Sequence, residues 1–196
     1  TEISIVHTAF NICTTVLLFP VSDWIIKLAK KIGRVEEDSQ DKSMVQLDER
    51  VLQTPGLALQ STVNEVIRMG QIVEDSLMVA KKVLFSLKDS DIQFLKEEEA
   101  TVDRLSAGIT NYAIKVGALQ ISEKEHQDVA HLLQVVSDME RISDYCENIS
   151  EFAETLYEKK TSFSEVGIEQ LKEMMEVCTD SYRYALKAFE NQDRAM

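Results

Sequence analysis

Apolar residues spaced three and four apart run with few breaks from Thr54 to the C-terminus, and that spacing suits one kind of regular structure. An α-helix has 3.6 residues per turn, so a 3–4 repeat places its apolar side chains on one face, whereas a half-buried strand alternates every second residue. The first stripe is Val63, Val66, Ile67, Gly70, Val73, Leu77, Ala80, Leu84 and Leu87. A second runs through Ile92, Leu95, Val102, Leu105, Ile109, Tyr112, Ala113 and Val116. The third holds Val129, Leu132, Val136, Met139, Ile142, Cys146, Ile149, Phe152, Ala153 and Leu156. Ile168, Leu171, Met175, Cys178, Tyr182, Ala185 and Phe189 make a fourth. Six Gly and two Pro leave few places to turn, which argues against β-sandwiches, barrels and collagen-like chains.

Punctuation between the stripes sets the boundaries. Thr54-Pro55 opens the first helix, since Thr caps and Pro suits the first turn. Asp89-Ser90 breaks the pattern, and Ser90 with Gln93, Ser122 with Glu125 and Ser162 with Glu165 each match a capping box. The second helix is expected to end near Gly117, and no stop signal follows the fourth stripe, so the chain reads as cut there. Short connections force neighbouring helices antiparallel. The predicted fold is all-α, an elongated antiparallel helical bundle.

Charge is unevenly spread. The chain carries −13, which argues against general nucleic-acid binding. Residues 1–34 hold Lys27, Lys30, Lys31 and Arg34 against Glu2 and Asp23, while the rest carries 17 basic and 32 acidic side chains. The run from Ile3 to Leu28 has no basic residue before Lys27, and about 20 apolar residues span a bilayer core. Basic residues just after it favour the cytoplasmic side, which predicts a membrane-type helix at 1–34 and a cytosolic remainder. His7, Asn11, Thr14 and Thr15 are more polar than a lipid-facing helix needs and imply neighbouring helices. A buried amphipathic helix is the alternative, to which Pro20 and Asp23 lend support. An acidic linker follows at 35–54, ending in a short ordered stretch. Cys13, Cys146 and Cys178 form no CxxC pair, lie on apolar stripes and read as small buried hydrophobes in a reducing compartment.

Two constellations could carry chemistry. Glu99 and Asp103 on the second helix, and Glu140 and Asp144 on the third, are acidic pairs four residues apart, so each pair projects from one face. Like charges at that spacing repel unless a cation sits between them, and hard cations bind facing carboxylate pairs. Such pairs are also common on solvated faces. Glu123-Lys-Glu-His126 is the one Glu-x-x-His match; it falls in a first helical turn, with His131 off its face, and neither histidine is taken as a ligand. There is no Gly-rich phosphate loop, Ser/His/Asp arrangement or thiol motif, so nothing demands an enzyme.

The strings EEEATVD at 97–103 and DMERISDYCENI at 138–149 resemble the PhoU family, whose repeat is a three-helix unit with Glu/Asp-x-x-x-Asp motifs. Glu140, Arg141, Ile142, Asp144, Asn148 and Ile149 match its E-R-I-x-D-x-x-x-N-I pattern, while Ser143 replaces the usual Gly and Tyr145 the usual His. HTAFNICTTVLLFP at 7–20 and LDERVLQTPGLAL at 47–59 resemble the last transmembrane helix and linker of bacterial sodium/phosphate cotransporter family proteins, in which a PhoU-like domain follows the membrane domain.

That resemblance implies a PhoU-like helical domain over 55–196, with repeat one at 55–158 and part of repeat two at 159–196. It implies a cytosolic, non-enzymatic regulatory module of a sodium-dependent inorganic phosphate transporter in the inner membrane. Sodium and phosphate would be bound by the rest of the membrane domain, its partner. A multinuclear iron or zinc cluster would sit on Glu99, Asp103, Glu140 and Asp144. An incomplete second repeat further implies a homo-oligomer. A soluble PhoU-like regulator acting through a partner protein is the alternative, and a carboxylate-bridged metal enzyme a third.

Overall fold

The computed structural model describes residues 47–191. The chain divides into two compact units, Thr1–Asp41 and Lys42–Met196, and every described residue belongs to the second. The membrane-type segment expected at 1–34, Cys13 and most of the linker lie outside the described residues. Among those described, every regular element is helical: a 3-10 turn at Glu49–Gln53, then α1 (Pro55–Phe85), α2 (Asp89–Gly117), α3 (Glu123–Glu158) and α4 (Glu165–Glu190). None of these helices is long and apolar enough to cross a membrane.

Helices α1, α2 and α3 pack on one another around a shared core, and α4 lies against α1. One core cluster joins Leu77, Ala80 and Val83 late in α1 to Ile92 and Leu95 early in α2 and to Cys146 and Ala153 late in α3. At the other end Ala58 meets Tyr112, Ala113, Val116 and Val129. The two ends together establish the up-down-up order that three- to six-residue connections require. Between them Val66, Met69, Val73, Val102, Leu105, Ile109 and Val136 fill the middle, almost wholly buried. The 3-10 turn closes one end: Tyr112 Oη donates to the Asp48 carbonyl at 3.1 Å, and Lys115 pairs with Glu49.

Boundaries differ from expectation in two places. The pairing of Ser90 with Gln93 is not a cap, because α2 begins at Asp89 with Lys88 at its N-cap, and Gln93 instead donates to Glu97. Ser164, not Ser162, caps α4 by accepting from the Gly167 N–H at 3.1 Å. The predicted box at Ser122 and Glu125 forms in full. Thr54 occupies the N-cap of α1 without a side-chain bond, and Pro55 supplies the start.

The shift to Ser164 follows from how α3 ends. Lys160 adopts φ 51°, and the N–H groups of Lys160 and Thr161 return to the carbonyls of Tyr157 and Leu156. This is the left-handed C-terminal closure that usually employs glycine, and it consumes residues 159–161 before α4 can start. A Cβ in the left-handed region costs about 1–2 kcal/mol. Lys160→Gly is therefore expected to raise stability by about 1 kcal/mol, less the entropy gained by the unfolded chain. Urea denaturation of the two proteins would measure it, and an unchanged midpoint would mean the turn is unstrained.

Candidate cation site

The acidic pairs meet where α2 and α3 pack side by side. Glu99 and Asp103 leave α2 on the flank of its Leu95–Val102–Leu105 stripe, and Asp144 leaves α3 beside Ser143 and Cys146, both buried. One carboxylate oxygen from each of Glu99, Asp103 and Asp144 lies within 4.8 Å of the others. Two come from successive turns of one helix and the third from the facing helix, the geometry that i, i+4 spacing produces when two flanks are apposed.

Electrostatics mark the same spot. Partial burial, then the charges of Asp103, Glu147 and Asp144, and a hydrogen bond with Asp103 hold the Glu99 carboxyl above its usual range. Glu140 is likewise raised, first by burial and then by Asp144 and Asp103, with Arg141 working against the shift. Glu140 is not among the three whose oxygens converge, yet it feels two of them. Glu147 was missed at the sequence level, although 140, 144 and 147 share one helical face by the same i+4, i+3 rule. A smaller acidic contact joins Glu98 to Asp75 of α1, where burial and then Asp75 and Glu97 raise Glu98.

The donors fit a hard cation. They are all carboxylates, they converge, and their mutual repulsion is the free energy a bound cation would relieve. Ser143 has a buried Oγ with no hydrogen-bond partner among the described residues, next in sequence to Asp144. The cluster sits apart from a cleft of about 570 Å³ between α1, α3 and α4, which Val63, Leu132, Phe189, Lys124, Asp128 and His131 help to line. The Glu123-x-x-His126 match stays at the start of α3, where His126 Nδ1 contacts the Ser122 carbonyl.

The cysteines divide. Cys146 is buried, and desolvation pushes its thiol up to about 12, so it remains a packed thiol. Cys178 was expected to be buried and is exposed. Its helix rests mainly on α1, so it is fully buried only at Met175, Thr179 and Leu186, while Cys178 and Ala185 stay at the surface.

Residues 66–153, which span both acidic pairs, match the PhoU domain. The chain is homologous to phosphate-related proteins. It is 24% identical over 189 residues to YjbB of Salmonella typhimurium, named as a candidate inorganic phosphate export protein, covering 95% of this chain and 35% of the relative. YjbB of Escherichia coli K12, of the same name, is 23% identical over 191 residues, with the same coverage. A phosphate-specific transport system accessory protein PhoU homolog from Synechocystis is 30% identical over 97 residues, or 49% of this chain and 43% of that protein. The chain thus spans about a third of the length of the YjbB relatives. No solved structure matches it.

Proposed function

We propose that this chain is a cation-binding, PhoU-like regulatory module of an inorganic phosphate transporter, not an enzyme. The observation that carries the reading is the convergence of Glu99, Asp103 and Asp144 inside the stretch that matches the PhoU domain. Glu140 completes the ligand set from the next turn of α3. An iron or zinc centre there would tie α2 to α3 and make the packing of the three-helix unit depend on metal supply. That is a regulatory use of a cation rather than a chemical one.

Attachment to a transporter is supported by the relatives' names and by the resemblance of residues 7–20 and 47–59 to a transmembrane helix and its linker. On this reading residues 1–34 enter the inner membrane, the remainder is cytosolic, and the membrane domain is its partner. Sodium coupling rests on that resemblance alone. The YjbB relatives are named for export, so phosphate is the element common to both sources. A free-standing PhoU-like regulator is the second reading, favoured by the Synechocystis relative. Recovery of the protein in the membrane fraction separates the two.

Elemental analysis tests the site. Purified protein should carry iron, zinc or another divalent cation in stoichiometric amount, and Asp103→Ala/Glu140→Ala/Asp144→Ala should carry none while keeping its helical circular dichroism. Folded wild-type protein that is metal-free and takes up nothing on titration would show the cluster to be surface charge.

A further inference from the structure

Met139 and Glu140 are neighbours on α3 and serve different seams. One residue turns a helix by about 100°, so adjacent side chains leave it in different directions. Glu140 belongs to the acidic flank toward α2, where Asp144 and Asp103 act on it. Met139 is buried in the cluster that Val66, Met69 and Val73 of α1 share with Leu186 of α4. Its Cε and the Leu186 Cδ1 close over Gly70, 2.9 and 2.5 Å from where a Cβ would stand. One turn further along, Ile142 of α3 and Tyr182 of α4 both pack against the middle and the late core clusters. Cys146 lies close enough to Tyr182 to act on its phenol.

The acidic seam and the α4 seam are thus two sides of one stretch of α3, residues 139–147, and a displacement of that stretch is felt at both. Toward α2, Glu99 meets the charges of Asp144 and Glu147, and Glu140 meets that of Asp103. Like charges push α2 and α3 apart, and a cation among them draws the two helices together. Toward α4 the contact is close-packed, and packed seams switch between seated and open rather than deform smoothly. The charges that act on Glu99 and Glu140 all come from α2 and α3, so any influence of α4 on the cation passes through packing. We propose that α3 couples the cation site to α4: a cation on Glu99, Asp103 and Asp144 seats Met139 against Leu186 and Gly70, which tightens the docking of α4 on α1. The coupling rests on the cation site proposed above and specifies what that site regulates. Linkage makes it reciprocal, so a docked α4 raises affinity for the cation by the same factor.

Titration calorimetry of the full metal-free chain with zinc, or with ferrous iron where zinc does not bind, reads one direction. Leu186→Ala should weaken binding by about fivefold or more, although Leu186 is no ligand. Leu186→Met, which conserves volume, should keep wild-type affinity. Val116→Ala truncates the cluster at the far end, which α4 does not enter, and should leave affinity unchanged. Met139→Ala cuts the link, so adding Leu186→Ala to it should weaken binding no further. Amide hydrogen exchange reads the other direction: the metal should slow exchange around Leu186 by about fivefold or more in wild type, and not in Met139→Ala. The wild-type exchange measurement needs no substitution, so it decides even where a truncation unfolds the chain. Metal that binds while the Leu186 amides ignore it, or while Leu186→Ala behaves as Val116→Ala does, would overturn the coupling and leave the cation site standing. A folded wild-type chain that binds neither metal would overturn both.

Discussion

Adding a divalent cation to metal-free protein, to about a hundred times its Kd, should raise the free energy of unfolding by about 2.7 kcal/mol. For a domain of this size that is about 5–11 °C in Tm. The gain arises because the cation binds the folded arrangement of Glu99, Asp103 and Asp144 and not the unfolded chain. Asp103→Asn/Asp144→Asn should abolish it. The same variant should be more stable than wild type without metal, since it removes the repulsion that raises Glu99 and Glu140. A cation response that survives in the variant would place the binding elsewhere.

The pH dependence has a definite sign. Glu99 and Glu140 have raised folded-state pKa values, so between the unfolded and folded values the native state binds more protons than the unfolded state. Their unfavourable contribution is present in full above the folded pKa and fades as pH falls toward the ordinary carboxylate range. The stability advantage of Asp103→Asn/Asp144→Asn over metal-free wild type should therefore shrink on acidification. Cation affinity should fall through the same window, because protons compete for the same oxygens. Thermal melts at several pH values, with and without chelator, read both effects.

How much of this could be read from the chain alone depended on whether the deciding interaction is local. Helix extents follow from spacing, and the Ser122–Glu125 cap forms because its whole hydrogen-bond cycle lies within four residues. The acidic pairs were legible for the same reason, being one turn apart, but their convergence depended on α2 and α3 turning those flanks toward each other. Three features needed tertiary information. Glu65 is 1% exposed and paired with Arg68, and as a charged residue it drew no notice on the first helix. The choice of Ser164 over Ser162 was made by the closure of α3, not by α4's own sequence. The exposure of Cys178 follows from α4 resting mainly on α1, which leaves part of its apolar pattern at the surface, and that is a property of the packing rather than of the stripe.

Gly70→Val should loosen α4 from the bundle while leaving α1–α3 folded. A Cβ at Gly70 would stand 2.5 Å from Leu186 Cδ1 and 2.9 Å from Met139 Cε, so glycine is what lets α4 approach α1 so closely. That approach puts Tyr182 Oη 2.9 Å from the Gly70 carbonyl, to which it donates, and burial raises the phenol's pKa so that it keeps its proton. Beside the buried Met175, Thr179 and Leu186, the α1–α4 seam carries Arg183 on Glu74 at 2.7 Å, Gln71 on Glu190 at 3.2 Å and a looser contact of Lys81 with Glu176. Pairs at or near the surface contribute about 0–1 kcal/mol each. A branched side chain at 70 costs about 1–3 kcal/mol in overpacking, enough to outweigh those pairs and to weaken the apolar contact that Leu186 and Tyr182 make with the core. Gly70→Ala should be far milder, because the clashing atoms are ends of flexible side chains and alanine returns about 1 kcal/mol of helix propensity. Amide hydrogen exchange reads the outcome by segment: α4 should lose protection in Gly70→Val while amides around Leu105 and Ile109 keep theirs. Adding Leu186→Ala makes room for the valine, so the double variant should lose less than the sum of the singles. Full additivity would mean that something other than this close approach holds α4 in place.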